Sequence, residues 1–412
     1  MSSSSEESAL HADFSGLSAL LKWFLVGVLL AGFMALSPDW LRFLFAVLLF
    51  IWAIAFPFIF SWSLVDLSSW AFLASYYGLS EYFARLGTRV DKLVLPLMAV
   101  VGLSESPLAL FNRLNLANAL MVNGRFAEAL AVLKELDLSG ASFAPVDSAF
   151  LPLVLSHMAS AEHYLGMFDE ATAHLKQSMT LKESRLLRKD LTESEREAIE
   201  LSQAADIYSL ACFFEKLGDI ELAKTTIEEA LEALRRIDID AESRAEMEAS
   251  FSNSLGDLLL RSGDLEGGAK LIEEAYRLRA EVLHERLNSK HPVMAASYEN
   301  LGRLELARKN FAKAEQWLHK AYRIRIKTSK YNTADLADTE RSLAQWRHSL
   351  GESGRAYELL KEALKHKESV FGESYPDVAE VLETFLSLGL GTEVERAEFK
   401  SRAEAIRRRF HV

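Results

Sequence analysis

Apolar positions recur most regularly between Ala296 and Arg325, in the stretch ASYENLGRLELARKNFAKAEQWLHKAYRIR. The pattern predicts two amphipathic helices with a break at Lys309-Asn310. In the second, Phe311, Ala314, Leu318 and Ala321 follow one another at three, four and three residues, which is one face of a 3.6-residue helix. So short a break forces the helices back on each other as an antiparallel pair. Gly302 on one helix and Ala314 and Ala321 on the other are small enough to let the backbones approach closely.

The same register returns along the chain. With Ala314 as anchor, small residues fall at Ala129, Ala171, Ala223, Gly268 and Ala356. Twelve positions earlier stand Ala117, Ala159, Ala211, Gly256, Gly302 and Ala344, each preceded by Leu or Met. Four positions after the anchors stand Leu133, Leu175, Ile227, Ile272, Leu318 and Leu360. Seven after are Ala230, Ala275, Ala321 and Ala363, with Leu136 and Ser178 in the first two copies. Amphipathic helices in general do not hold small residues in register six times. The anchors lie 42, 52, 45, 46 and 42 residues apart.

This register resembles the tetratricopeptide repeat (TPR), whose period is about 34 residues. The longer spacing, with the stretches AYRLRAEVL, AYRIRIKTS and ALKHKESVFGESYPDVAEVL, is similar to the variety found in kinesin light chains. The resemblance covers roughly Leu108 to Leu390 and implies an all-α, right-handed superhelix of about six repeats plus a closing helix. It also implies a concave face lined by the first helix of each repeat. Positions fifteen and eleven before each anchor then point into the groove: Leu114 and Asn118, Ser156 and Ser160, Tyr208 and Cys212, Asn253 and Asp257, Glu299 and Arg303, Arg341 and Gln345. The polar members Asn118, Asn253, Asp257, Glu299, Arg303, Arg341 and Gln345 are the candidate partner-binding residues. Some TPR proteins grip a partner's terminal carboxylate with Lys and Arg here. Asn118 alone matches that pattern.

The composition divides the chain. Residues 1–84 hold only two Lys or Arg and six Asp or Glu, leaving 44 basic and 52 acidic residues for the rest. The same segment carries five of the seven Trp and eleven of the 24 Phe. Residues 1–15 are Ser-rich and acidic and are expected to be disordered, with no basic region of a cleaved leader. Leu17–Leu36 and Phe43–Val65 are long enough to cross about 30 Å of hydrocarbon, so residues 16–66 read as a two-span transmembrane helical hairpin in contact with lipid over residues 17–65. Arg85, Arg89 and Lys92 follow the second span and place the repeats on the cytoplasmic side. Residues 67–106 read either as interfacial helices or as a cap on the first repeat. The solenoid is expected over 107–390, with Pro107, Pro292 and Pro376 near helix starts, and a closing helix over 391–412. The charged insertion between Leu181 and Ser202 breaks near Asp190-Leu191-Thr192 and accounts for the spacing of 52.

No catalytic signature is present. The chain has no Walker A sequence, Rossmann glycine fingerprint, HExxH or GxSxG. His157, His163 and His174 lack the spacing of a helical metal pair, and a lone cysteine, Cys212, excludes internal disulfides. Glu228-Glu229 and Glu273-Glu274 read as solvated helix faces. A recurring basic stripe, Arg277, Arg279, Arg323, Arg325, Lys365 and Lys367, reads either as an edge for an anionic partner or, preferably, as pairing between repeats. A net acidic repeat region gives no footprint for nucleic acid. The expectation is therefore a non-enzymatic scaffold or adaptor without cofactor, anchored in a bacterial inner membrane and binding partner proteins or peptides in its groove. The alternative is an integral subunit of a transport, channel or secretion complex that works through its hairpin. Oligomeric state is left open.

Overall fold

The computed structural model describes residues 80–90, 107–136, 147–282, 291–328 and 333–410, with isolated positions between 22 and 68. From Pro107 onward the described residues form helices in seven consecutive pairs, with no strand among them. The pairs are α1 (Pro107–Val122) with α2 (Phe126–Lys134), α3 (Asp147–Tyr164) with α4 (Phe168–Leu186), and α5 (Glu193–Lys216) with α6 (Ile220–Arg236). Then follow α7 (Ala241–Arg261) with α8 (Leu265–Arg277), α9 (Pro292–Ala307) with α10 (Phe311–Thr328), α11 (Ala334–Ser349) with α12 (Ser353–Phe371), and α13 (Pro376–Ser387) with α14 (Glu393–Arg409). The chain divides into two compact units, Met1–His157 and Met158–Val412.

Local chemistry sets the helix ends. Thr192 and Thr392 each close a capping box with the Glu three residues on, and Asp219 and Asp264 cap α6 and α8. Pro292 and Pro376 occupy first turns, where a missing N–H costs least. The insertion expected around Asp190 is a long α4 and a long α5 meeting at the Thr192 cap. Within the pairs, six turns carry a left-handed glycine: Gly124, Gly166, Gly218, Gly263, Gly351, and Gly389 with Gly391. In the α9–α10 turn that place falls to Lys309, with φ 60°.

The small-residue register is the core. Ala117, Ala129, Ala159, Ala171, Ala211, Ala223, Ala314, Ala344 and Ala356 have no exposed surface, and the Leu or Ile four residues past each anchor is equally enclosed. Where glycine stands, the approach is closer still. A Cβ on Gly268 would lie 2.8 Å from the Gly256 carbonyl oxygen, and one on Gly302 would lie 2.6 Å from Leu318 Cδ2.

In the first unit, residues 80–90 form a helix docked on the α1–α2 pair. Ala84 is buried, and Glu81 accepts from Asn123 Nδ2 at 2.5 Å and pairs with Arg125 at 2.5 Å. Phe111 of α1 meets Phe150 of α3 edge-on at 5.0 Å.

The two-span hairpin and the inner-membrane location built on it are corrected here. Among the described residues no helix is long and apolar enough to cross a membrane. Most of segments 17–36 and 43–65 lies outside the described residues. Where the second segment ends, it meets protein. Leu64 is 2 % exposed, the Val65 carbonyl accepts from Asn115 Nδ2 at 3.5 Å, and Ser68 Oγ donates to the Ser80 carbonyl at 3.0 Å. A long apolar run serves equally as a lipid-facing or a protein-buried helix, and hydropathy alone does not separate them. The reading as an integral subunit working through that hairpin loses the same support.

Candidate partner-binding face

In the second unit the first helices of successive pairs touch one another through polar side chains, and six of the seven candidate residues take part in or lie along this ladder. Between α5 and α7, Arg261 pairs with Glu215, and the Tyr208 and Ser254 hydroxyls bond at 2.7 Å. Between α7 and α9, Arg303 pairs with Asp257, and Asn300 Nδ2 donates to the Asn253 carbonyl at 3.1 Å. Between α9 and α11, Ser342 Oγ donates to Glu299 at 3.0 Å. Between α11 and α13, Arg341 lies 3.6 Å from Glu380. Gln345 sits half-buried on α11. Asn118 belongs to α1 in the first unit and takes no part in this ladder.

One further contact joins the last first-helix to an early one. Lys216 Nζ at the end of α5 lies 2.5 Å from Asp377 Oδ1 and 3.4 Å from Glu380 on α13. Lys367 holds the other Asp377 oxygen at 2.8 Å and Asp338 at 3.0 Å. Burial alone would push the Asp377 carboxyl up, but the two ammonium groups outweigh it and hold it far below the usual carboxylate range. Glu380 is half-buried, and Lys216 leads the cations that bring it down to about 2. Burial opposes the charge on Lys216, yet Asp377 and Glu380 raise it well above the ordinary lysine value. These groups stay charged because they compensate one another.

Sequence reasoning missed Lys216, Arg261, Asp377 and Glu380. A signal existed for the first two, which stand seven residues before consecutive anchors. None existed for a pairing between Lys216 and residues as distant as Asp377 and Glu380.

Nearby, His163 is stacked on Phe213 with centroids 4.5 Å apart, and its Nδ1 has no hydrogen-bond partner among the described residues. Burial, with Lys216 adding to it, lowers its pKa to about 3, so the ring is neutral. Cys212, one turn before Lys216, is half-buried, and burial pushes its thiol up to about 12. No three metal-ligating side chains gather among the described residues.

Half of the basic stripe pairs between repeats, while Arg277, Arg323 and Lys365 are exposed. Arg279 donates to Ser297 at 2.6 Å and Ser250 at 3.0 Å; Arg325 pairs with Glu299 and donates to Thr339 at 2.7 Å; Lys367 is held as above. Each is a buried cation at the C-terminal end of a second helix, Arg279 in the π-helical turn Leu278–Val282 that follows α8, and is fixed to first helices. Lys182 occupies the same register and pairs with Asp206 at 2.6 Å. At that register in the next pair, Leu234 packs in one cluster with Phe251.

A family model described as tetratricopeptide repeat matches residues 246–327, and a second of the same description matches residues 208–282. The chain contains tetratricopeptide repeats. Its TPR pairs are similar to several solved structures. BtubC (BKLC) from P. vanneervenii is 16 % identical over 60 % of this chain and 91 % of its own, with TM-score 0.41. A putative kinesin light chain from Podospora anserina with nearly identical TPR-like repeats is 20 % identical over 54 % of this chain and 96 % of its own, with TM-score 0.36. A signal transduction ATPase with numerous domains and a TPR sensor, from Pyrococcus horikoshii, is 18 % identical over 87 % of this chain and 52 % of its own, with TM-score 0.43. No curated protein matches the chain.

Proposed function

We propose that this TPR chain is a non-catalytic scaffold or adaptor that takes partner proteins on the face formed by its first helices. One observation carries the reading. The repeated small residues lie where the first and second helices of a pair face each other, whereas the first helices carry a varied polar row along another side, with Asp257, Arg303, Arg341 and Gln345 partly exposed beside the buried Asn253 and Glu299. A surface with shape but changing chemistry is what specific recognition of another chain requires. No metal, cofactor or reacting group enters this role.

Site-specific photo-crosslinking tests it. A benzophenone side chain is placed at Gln345 or Arg303 on first helices, or at Glu229 or Glu358 on exposed second-helix faces, in the full chain in its native cells. The expected outcome is a common crosslinked partner from the first-helix positions, with the Gln345 crosslink lost when Arg303→Glu and Arg341→Glu are combined. Crosslinks confined to the second-helix positions would overturn the reading.

A further inference from the structure

The ladder of first helices in the second unit does not end open. Lys216 reaches Asp377 and Glu380, the Tyr375 hydroxyl donates to the His163 carbonyl at 3.2 Å, and Phe168 meets Phe410 edge-on at 5.2 Å. Tyr164 stacks on Phe371 at 6.1 Å. The seam between α3–α5 and the chain from Phe371 through α14 buries Phe168 and Tyr375. Within the α13–α14 pair, Val378, Ala379 and Leu382 are wholly enclosed in an apolar core with Ala403 and Ile406. Beside the seam lie two openings. One of about 230 Å³ is bounded by Gly166, Tyr375, Arg409 and Phe410, and one of about 430 Å³ by Glu215, Arg261, Arg341 and Glu380.

We infer that this seam is a latch: α13 and α14 part from α3–α5 as one body, and the first-helix face admits a partner only when they have parted. The inference rests on that face being the binding face. The movement needs no pair to unfold, because a small rotation at each successive interface adds up across the array. Lys367 remains on Asp377 when Lys216 lets go, so α13 retains a partner for its buried carboxylate on its own side of the seam.

Cys212 provides the readout. It lies on α5 one turn before Lys216, and as the chain's sole thiol it reports its surroundings without an introduced label. The full chain is treated with iodoacetamide at pH 8, alongside Lys216→Met and Tyr375→Phe, the second of which removes one hydroxyl and keeps the ring. Urea unfolding of each variant is followed in parallel. The expected result is labelling at least ten-fold faster in Lys216→Met and measurably faster in Tyr375→Phe, with the gain exceeding that explained by any change in global stability. Crosslinking from Gln345 rises in the same variants. Labelling at the wild-type rate in both variants, or acceleration that merely tracks the lost stability, overturns the latch. Faster labelling without a rise in Gln345 crosslinks overturns its role as a gate. A shift of the crosslinks to Glu229 and Glu358 overturns instead the binding-face reading on which it rests.

Discussion

Gly268→Ala isolates the small-residue register that defines these helix pairs. In an exposed helix interior the exchange gains about 1 kcal/mol, because glycine carries more backbone entropy into the unfolded chain. Here the new methyl would stand 2.8 Å from the Gly256 carbonyl oxygen, 3.0 Å from Leu260 N and 3.3 Å from Leu260 Cβ. The nearest two atoms are main chain and cannot rotate away. Helices α7 and α8 must therefore move apart by roughly half an ångström, and overpacking of this kind costs about 1–3 kcal/mol. After the propensity gain, the expected net change is a destabilisation of up to about 2 kcal/mol. For a unit of this size that lowers the melting temperature by up to roughly 8 °C. Gly354→Ala is the matched control. It lies in the first turn of α12 with nothing within 4 Å of the new methyl, and should be neutral or stabilising by about 0.5 kcal/mol. Urea titration followed by circular dichroism measures both. If Gly268→Ala stabilises the protein as Gly354→Ala does, close backbone approach is not what the repeated small residues provide.

Lys309→Gly places the residue the other intra-pair turns use at a left-handed position, and should raise stability by about 1 kcal/mol in the same titration. Lys182→Met strands the buried Asp206 carboxylate with Ser178 Oγ at 2.9 Å as its remaining side-chain partner, and should cost about 3 kcal/mol; adding Asp206→Leu should restore most of it, since Leu234 and Phe251 fill that register with apolar groups in the following pair. His163 is neutral in the fold down to about pH 3, while in the unfolded chain it binds a proton near 6.5. The unfolded state therefore takes up the proton first, and stability falls on acidification across that window at up to about 1.4 kcal/mol per pH unit. Measured between pH 6 and 5, where carboxylates of the unfolded chain are still largely ionised, His163→Phe should flatten the slope and keep the stack on Phe213.

The pair architecture was legible because it is periodic. The register of Ala314 and Gly302, the prolines at Pro107, Pro292 and Pro376, and the break before Thr192 each act within a few residues, so one chain displays them. The ladder was legible in part. Offsets of fifteen and eleven from the anchors pick out Asp257 with Arg303, and Glu299 and Arg341, because neighbouring first helices repeat the same geometry. The closing of α13 on α5 was not legible. It follows from rotation accumulated over several pairs, and Lys216 and Asp377 share no local pattern. The hairpin failed for another reason. Hydropathy records how apolar a segment is, and Leu64 meets protein where lipid was expected.

The most direct measurement is zero-length carbodiimide coupling of the native full chain, with the joined peptides identified by mass spectrometry. Amide bonds form only between amines and carboxylates already in contact. Lys224 with Glu221 and Lys361 with Glu358, on exposed second-helix faces at 2.9 and 3.8 Å, serve as positive controls. The expected result is an intramolecular link from Lys216 to Asp377 or Glu380, which vanishes in urea. Recovery of both control links with Lys216 joined to neither residue would contradict a first-helix face closed on itself.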